Sequence, residues 1–403
     1  MRILYIHQYF ATRQSSTGTR SYEFAKYLVS RGHSVTMVTG SSRANTGQIR
    51  LVEKFDMDGI NVISVKNKYD QKMTILRRIL AFVQFLIMAV WVGWRQRGNN
   101  VVLATSTPLT VGLIGLIVSK VKRIPLVFEV RDLWPDIPIK MGVIKNKVII
   151  WLTYKMEALI YKHSAKIVAL SPGMVNKLIE KGVMEEKVSL ITNCSNLDLF
   201  SPSAEEPGWK KQLGLEGKFV CIHSGSMGIV NGVDIIINTA EVLQSKGDSE
   251  IVFLLVGEGS QKELLIERIS NLKLNNVIIK DAVAKNELPK HVASADLGIM
   301  TVINNEILWH NSANKFFDYL SSGLPIVINY GGWQKDVLEN YQAGFVVPPK
   351  APEEFAEALL AIKADKARLV EMGRNARKLA EKEFDQQKLA GKLEEVLIAS
   401  LSN

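Results

Sequence analysis

Residues 310–328, HNSANKFFDYLSSGLPIVI, combine a helix start with charged side chains one turn inside it. Ser312 and Asn314 are good capping residues, and the first N–H groups of a helix, together with its dipole, favour an anion. Lys315 can add a positive charge there. Asp318 lies about one turn further on, where its carboxylate can accept hydrogen bonds from both hydroxyl groups of a ribose. The segment therefore predicts a binding site for a nucleoside diphosphate.

Three glycine-containing turns stand where strands are expected to end and helices to begin. Glycine lets the backbone approach a phosphate closely, and a helix N-terminus favours its charge. The candidate residues in these turns are Gly18 and Arg20, Gly225 and Ser226, and Gly257 and Glu258. None of the turns matches G-x-G-x-x-G, which disfavours a dinucleotide-dependent oxidoreductase. For the turn at Gly18, a purely structural role is equally compatible with the sequence.

These candidates need a scaffold, and the chain alternates between short strand-like runs and helical stretches. Seven such runs lie between Ile3 and Ile191 and five between Phe219 and Asn329, which is the βαβ pattern of parallel, doubly wound α/β sheets. A chain of 403 residues is also too long for one ordinary core. We therefore expect two Rossmann-like domains facing each other across a cleft, where ligands of open sheets bind.

A polar, proline-containing connector after the seventh run sets the expected domain boundaries. We predict a first domain over residues 1–198, a linker over 199–217, a second domain over 218–375 and a C-terminal segment over 376–403. That last segment is helical in pattern, and it can pack back across the first domain.

Charge is distributed unevenly between the two halves of the chain. Residues 1–198 contain 28 Lys and Arg against 13 Asp and Glu, a net charge of +15, whereas residues 199–403 contain 22 against 27, a net charge of −5. A basic surface can bind nucleic acid, but the sequence contains no nucleic-acid-reading motif, so we expect no such partner. An anionic membrane leaflet is the other partner that this charge favours.

The cysteines and the N-terminus bear on the cellular compartment. Cys194 and Cys221 have no metal-ligand spacing, so we expect neither a disulfide nor a bound metal ion. The opening MRILYIHQYF lacks the charged, apolar and small-residue regions of a secretory signal. These features favour a cytoplasmic protein.

Residues 79–94, ILAFVQFLIMAVWVGW, are apolar around the whole helix except for Gln84, and arginines flank them on both sides. Sixteen residues rise only about 24 Å, which is short of a hydrocarbon core of about 30 Å. The helix can lie in the membrane interface, or it can be a core helix, or it can do both with different faces. Residues 109–121 form a second apolar helix and support the membrane interpretation.

Several motifs spread over nearly the whole chain resemble one enzyme family. They are the opening ILYIHQYF, RGHSV at 31–35, EVRDLWP at 129–135, the NxxxxDxF pattern at 193–200, VGEG at 256–259, ADLG at 295–298 and residues 315–327. Together they resemble retaining GT-B glycosyltransferases of family 4, in particular those that add N-acetyl-L-fucosamine or related sugars in bacterial O-antigen and capsule assembly. The resemblance implies a UDP-sugar donor, no further cofactor, no metal ion and a polyprenyl-diphosphate-linked acceptor. It also implies a peripheral position on the inner face of the cell membrane.

The resemblance assigns roles to individual residues. It places the ribose-binding acid at Asp318, the diphosphate-binding backbone at Ala313, Asn314 and Lys315, and the uracil near the main chain of Ala282 and Val283.

Three positions depart from the family pattern. Asn231 stands in place of a lysine, so Lys315 and Arg20 are left to neutralise the diphosphate. His310 replaces the first acid of E-x7-E, and Arg131 replaces a histidine that lies near the C6 hydroxyl group of the donor sugar.

Catalysis in such enzymes depends on stabilising the departing diphosphate and holding the acceptor against the same face of the donor. The candidate catalytic residues are Arg131, Asp132, His310 and Lys315. Asp132 can orient Arg131 toward the acceptor, although an Arg–Asp pair that only braces its loop is an alternative. Glu129 is a further candidate for a base.

Two other functions remain open from the sequence. A non-hydrolysing UDP-sugar 2-epimerase would share the GT-B fold but has no use for an apolar surface helix. An inactive sugar-nucleotide-binding scaffold would tolerate the loss of Lys315 and Asp318, and both are present.

Overall fold

The computed structural model contains two separate β-sheets, one in each of two units of the chain. It describes residues 1–41, 47–67, 75–202 and 208–402. The first unit comprises residues 1–12, 19–192 and 387–403, and the second comprises 13–18 and 193–386.

The sheet of the first unit has eight strands in the order β3-β4-β2-β1-β5-β6-β7-β8, and only the β3–β4 pair is antiparallel. The central strands are buried along almost their whole length because helices cover both faces of a parallel sheet. The strands are β1 Arg2–Ile6, β2 Ser34–Gly40, β3 Val52–Met57, β4 Ile60–Val65, β5 Val101–Thr105, β6 Leu126–Val130, β7 Lys166–Ala169 and β8 Val188–Leu190.

Strand β3 is an edge strand that the sequence did not predict. It alternates charged and apolar residues, and its side chains are only partly buried. A tight turn through Asp58 and Gly59, both with positive φ, joins it to β4. Asp56 Oδ1 accepts the N–H of Gly59 at 3.1 Å and stabilises that turn.

Among the described residues, six helices belong to the first unit before the chain passes to the second. They are α1 Arg20–Ser30, α2 Ile75–Arg95, α3 Thr110–Lys122, α4 Asp136–Lys140, α5 Lys147–His163 and α6 Pro172–Glu180, and a 3₁₀ turn lies at Glu185–Lys187. Asn146 caps α5 by accepting the N–H groups of Val148 and Ile149. Helix α3 packs against both α2 and α5.

The sheet of the second unit has six parallel strands in the order β11-β10-β9-β12-β13-β14. The order of the chain reverses between β9 and β12, and such a switch point is where open α/β sheets bind ligands. The strands are β9 Phe219–Ser224, β10 Ile251–Val256, β11 Val277–Lys280, β12 Leu297–Met300, β13 Ile326–Ile328 and β14 Gly344–Val346. The three-residue strand β14 is the second one that the sequence did not predict.

Helices cover both faces of this second sheet, and two buried apolar clusters form its core. The helices are α7 Trp209–Gln212, α8 Asp234–Ser245, α9 Lys262–Asn271, α10 Leu288–Ala293, α11 Asn314–Ser321, α12 Trp333–Tyr341, α13 Pro352–Ala364 and α14 Lys366–Glu383. Short 3₁₀ segments lie at Ile229–Asn231 and Glu306–His310.

The boundaries of the units differ from the predicted ones. Phe200 and Leu215 lie in the core of the second unit, so the described part of the predicted linker belongs to that unit; its residues 203–207 lie outside the described residues. Residues 376–383 end helix α14, whose Ala376 and Leu379 are buried in the same core.

The last helix, α15 Gln386–Ala399, and the 3₁₀ turn Ser400–Ser402 lie in the first unit from residue 387 onward. Glu394 Oε1 lies 2.8 Å from His33 Nε2, and Glu394 Oε2 lies 3.3 Å from Arg31 Nε. This segment therefore returns to the first unit, but it begins about ten residues later than the sequence suggested, because the core of the second unit retains α14.

Candidate functional site

Helix α11 begins beside the switch point of the second sheet, directly after β12 and the 3₁₀ segment. Its N-cap is Ala313, which makes no side-chain capping bond. Ser312 is buried, and its Oγ accepts the backbone N–H of Asn193 at 3.1 Å. The prediction that Ser312 and Asn314 cap this helix is therefore wrong, because Ser312 is bound to another segment and Asn314 is already the first helical residue.

The first turn of α11 still presents free donors. The N–H of Ala313 donates to Asn311 Oδ1 at 3.2 Å. The N–H groups of Asn314 and Lys315 donate to no group among the residues that the structure describes. Two amide donors and the helix dipole are thus available to an anion, and Ala313 is the one predicted donor that is already engaged.

Lys315 is buried at this helix start, and its Nζ lies 3.1 Å from Nε2 of His223. Burial lowers the pKa of Lys315 from its ordinary value to about 7. The pKa of His223 lies well below its ordinary value because the ring is buried and lies beside Lys315. A neutral imidazole is therefore the nearest partner of the Lys315 amine, and no carboxylate among the described residues forms an ion pair with it.

The loop after β9 approaches the same lysine. Gly225 has a φ of +128°, and a Cβ there would lie 3.3 Å from Cε of Lys315. Its N–H donates to the carbonyl of Val256, so Gly225 provides room for the lysine and not a free donor. Ser226 is exposed in this loop.

The third predicted turn, at Gly257 and Glu258, packs against the loop after β9. A Cβ on Gly257 would lie 1.8 Å from the carbonyl oxygen of Gly225, so only glycine allows this contact between the two loops. The carboxylate of Glu258 forms a 2.5 Å ion pair with Lys262. The structure thus gives Gly257 and Glu258 packing and bracing contacts, where the sequence predicted contact with the nucleotide.

Asp318 lies on the same face of α11 as Lys315, one turn further along, and it is buried. Its Oδ2 forms a 2.5 Å ion pair with Nζ of Lys285, which comes from the loop after β11. Burial raises the pKa of Asp318, and the charge and hydrogen bond of Lys285 oppose that rise. Lys285 was not predicted; a lysine two residues beyond Val283 was the available signal.

Tyr319 holds this helix against the end of β9. The backbone N–H of Ser224 donates to Tyr319 Oη at 2.8 Å, and the Ser224 hydroxyl lies 3.0 Å from the same oxygen. Lys315 and Asp318 are therefore fixed on a helix that is hydrogen-bonded to the strand next to the switch point.

The other predicted nucleotide-site residues of this unit lie in nearby loops. Gly18 belongs to the second unit and lies against the side chain of Asn314. Ala282 and Val283 are half-buried directly after β11. His310 is half-buried at the end of the 3₁₀ segment that leads to α11. Asn231 binds the loop after β9 through its Oδ1, which accepts the N–H of Gly228 at 3.3 Å.

Arg20 lies in the first unit, where its guanidinium is paired within the protein. Its Nε donates to Glu129 Oε2 at 2.9 Å, and its other nitrogens donate to the carbonyls of Ile191 and Thr192. Both charged side chains are fully buried. Its guanidinium is therefore already held by a carboxylate and two carbonyls, and the role predicted for it, neutralising a diphosphate, stays a prediction.

Glu129 is equally unsuited to be a base. Burial acts to raise its pKa, but the charges of Arg20 and Arg131 and the hydrogen bonds from Arg20 and Thr105 outweigh burial and hold the pKa below its ordinary value. A carboxylate with a low pKa that is already hydrogen-bonded accepts a further proton poorly.

Arg131 and Asp132 follow strand β6 but have different partners. Nη1 of Arg131 lies 3.3 Å from Nε2 of His7. Asp132 is exposed, and its Oδ2 accepts the hydroxyl of Thr107 at 2.9 Å. The expected orientation of Arg131 by Asp132 is therefore not seen, and His7 occupies that position beside the guanidinium.

Two families of known proteins match the chain, largely one on each unit. Residues 16–194 match the glycosyl transferase 4-like domain, and residues 205–379 match the glycosyl transferases group 1.

Two curated proteins are similar over shorter stretches. The putative colanic acid biosynthesis glycosyl transferase WcaI of Escherichia coli K12 is 32% identical over 111 residues, which are 27% of this chain and 26% of that protein. Spore coat protein SA of Bacillus subtilis 168 is 21% identical over 191 residues, 46% of this chain and 50% of that protein. The matches thus span a quarter and a half of these relatives.

Solved structures are similar over the whole chain. HepE of Anabaena in complex with UDP-glucose covers 99% of this chain and 100% of its own, with a TM-score of 0.74 and 18% identity. At this identity the likeness shows the fold alone. The predicted class, two Rossmann-like α/β domains of the GT-B type, is confirmed.

Proposed function

We propose that this chain, a member of the group 1 glycosyltransferase family with a glycosyl transferase 4-like first domain, transfers a sugar from a UDP-sugar to a polyprenyl-diphosphate-linked saccharide. The transfer retains the configuration at the anomeric carbon and serves O-antigen or capsule assembly. The observation that carries the proposal is the placement of Lys315 and Asp318 on one face of α11 at the switch point of the second sheet.

The nucleotide site is complementary to UDP in three respects. The free N–H groups of Asn314 and Lys315 and the dipole of α11 suit the diphosphate. Asp318 suits the ribose hydroxyl groups. The half-buried main chain at Ala282 and Val283 suits the flat uracil ring.

Retaining transfer places developing negative charge on the departing diphosphate. The Lys315 ammonium group and the helix amides stabilise that charge from fixed positions, so we propose that the reaction needs no metal ion. His310, in the segment before α11, would contact the hydroxyl groups of the donor sugar. Arg131 and Asp132, at the carboxyl end of β6, would bind the acceptor.

The proposed donor is a 6-deoxy N-acetylamino sugar such as N-acetyl-L-fucosamine. Family members place a histidine near the C6 hydroxyl group, and a site built to hydrogen-bond a hydroxyl rejects analogues that lack it. Here that position is Arg131, whose guanidinium lies against His7. In a 6-deoxy donor C6 is a methyl group, which has no hydroxyl for a histidine to hydrogen-bond.

A lipid-linked acceptor requires contact with a membrane, and the first unit has an apolar surface for it. Helix α2 buries Phe85 and Ala89 and exposes an opposite stripe of large apolar side chains: Leu80, Val83, Ile87, Trp91 and Trp94. Helix α5 exposes Val148, Ile149, Trp151 and Leu152. Together with the basic charge of this half of the chain, these two helices suit the interface of an anionic bilayer on its cytoplasmic side.

The burial of these helices bears on two of the expectations. Helix α2 has a buried face and an exposed apolar face, which is the arrangement expected if one side packs in the core and the other is left for a membrane. Helix α3 was expected to add to the membrane surface, but most of its side chains are buried. Among the described residues, no helix combines the length and apolar character needed to cross a membrane.

Product analysis tests the function. The protein is incubated with UDP-N-acetylfucosamine or UDP-N-acetylglucosamine and a polyprenyl-diphosphate-linked sugar, and the products are identified by mass spectrometry. We expect a glycosylated lipid, formed faster from the 6-deoxy donor. Preference for the 6-hydroxylated donor would refute the donor assignment, and interconversion of UDP-sugars without transfer would identify an epimerase.

A further inference from the structure

Lys285 is a buried lysine that the proposed reaction does not yet use. Its backbone N–H donates to the carbonyl of Ser15 at 3.0 Å, and the next N–H, of Asn286, donates to the carbonyl of Arg13 at 3.0 Å. The side chain passes over the ring of Phe200, with Nζ 4.6 Å from the ring centre. Backbone and side chain are thus both held in place before any ligand binds.

The single ionic partner of Lys285 given by the described contacts is Asp318. The distance of 2.5 Å between Nζ and Oδ2 is that of a charge-assisted hydrogen bond, and the two side chains are 10% and 7% exposed. The other carboxylate oxygen, Oδ1, accepts no hydrogen bond from the described residues. One oxygen of Asp318 is therefore committed to the protein, and the other is left for a ligand.

A buried carboxylate without a cation tends to take up a proton, because burial disfavours its charged form. A hydrogen bond to a charged acceptor is stronger than one to a neutral acceptor, by about tenfold in affinity. Whatever keeps Asp318 ionised and fixed in orientation therefore determines how strongly it can bind a hydroxyl group.

We propose that Lys285 is the positioning residue of the ribose site: it holds Asp318 ionised and turned through Oδ2, so that Oδ1 receives the ribose hydroxyl groups of the donor. The inference rests on the proposed function, since it assumes that a uridine nucleotide binds here. The proposal gives the two buried lysines of the site different roles. Lys315 serves the diphosphate, and Lys285 serves the ribose through Asp318.

A double-mutant cycle tests this division. UDP affinity is measured by calorimetry for the wild type, Lys285→Met, Asp318→Asn and the double variant. We expect Lys285→Met to weaken UDP about tenfold in the wild-type background, the step from a charged to a neutral acceptor, and by less than about twofold in the Asp318→Asn background. An equal loss in both backgrounds would show that Lys285 acts independently of Asp318 and would overturn the proposal.

Ligand fragments provide a second readout that a purely structural role would not move. Uridine keeps the ribose and lacks both phosphates, whereas inorganic diphosphate lacks the ribose. We expect Lys285→Met to lower the affinity for uridine by the same factor as the affinity for UDP, and to leave the affinity for inorganic diphosphate unchanged. Loss confined to inorganic diphosphate and UDP would assign Lys285 to the phosphates and contradict the proposal.

Matched variants control for folding. Lys285→Arg keeps a hydrogen-bonding cation and should restore most of the affinity. Lys290→Met removes a nearby lysine of α10, which pairs with Glu287, and should leave UDP binding unchanged. If Lys285→Met does not fold, the UDP affinities of Lys285→Arg and of the double variant are compared instead. The proposal then requires Lys285→Arg to bind UDP nearly as well as the wild type, and the double variant to bind it within about twofold of Asp318→Asn. Failure of the wild type to bind any uridine ligand would refute the proposed function instead.

Discussion

UDP binding should depend on pH through Lys315. Burial lowers the pKa of this lysine to about 7, and its nearest partner is the neutral ring of His223. A bound diphosphate would supply the missing counter-charge and keep the amine protonated. Binding at alkaline pH must therefore include uptake of a proton, which weakens the apparent affinity as the pH rises.

The magnitude follows from linkage. If the lysine is always charged in the complex, the apparent Kd is proportional to 1 + 10^(pH − pKa) of the empty site. With a pKa of about 7, the Kd rises about 25-fold between pH 7.5 and pH 9, and about 0.8 proton is taken up per UDP at pH 7.5. The phosphate of UDP does not contribute, because its second pKa is about 6.

Calorimetry in buffers of different ionisation enthalpy measures both quantities. Lys315→Arg, whose guanidinium stays charged, should give a flat profile. Lys262→Met, which removes a lysine already paired with Glu258, should keep the steep one. A wild-type Kd that is constant from pH 7.5 to 9, or binding that releases protons, would refute the assignment of Lys315 to the diphosphate.

Lys315 should also lower the free energy of unfolding of the protein without ligand. Its pKa when folded lies below its value in the unfolded chain, so the unfolded state binds more protons between pH 7 and about 10.5, and stability rises with pH across that window. Lys315→Met should accordingly raise the melting temperature at pH 7.5 and lower the affinity for UDP.

Two further predictions concern the ribose site and the membrane. Asp318→Ala should weaken UDP by about 1.5–3 kcal/mol in calorimetry, equally with magnesium or EDTA present; unchanged affinity would place the ribose elsewhere, and strict dependence on magnesium would contradict metal-independent binding. Trp91→Ser combined with Trp151→Ser should reduce co-sedimentation with anionic vesicles at an unchanged melting temperature. Phe85→Ser should instead lower the melting temperature, since emptying a buried aromatic position costs about 3–5 kcal/mol. Full vesicle binding by the tryptophan variant would exclude this surface.

The fold could be predicted because its signals are local. Apolar runs of four to seven residues between helical stretches are typical of parallel sheets, and all twelve predicted runs are strands in the structure. The edge strand Val52–Met57 escaped because half of its side chains are charged or exposed, and β14 escaped because it begins with a glycine and is only partly buried. Both strands lie at the edge of a sheet, where side chains are less buried and the apolar pattern of the sequence is therefore weaker.

The candidate site was predictable only where one helix carries it. Lys315 and Asp318 are three residues apart, so helical spacing alone puts them on one face. Lys285 and Asp318 are separated by 33 residues, and Arg20 and Glu129 by 109. Neither pairing leaves a periodic signal in the sequence, because the sheet topology brings these residues together.

Arg20 and Lys315 show how a cation that is paired inside the protein differs from one proposed to bind a ligand. Both are buried basic residues at a helix start, and the predicted role was the same for both. Arg20 is fully matched by Glu129 and two carbonyls, so its charge is already balanced inside the protein. Within the described part of the chain, Lys315 has only a neutral imidazole beside it, and a buried ammonium group without a counter-charge is unfavourable. An anion bound beside the two free amide donors would supply the missing counter-charge, and we propose that the diphosphate of the donor takes that place.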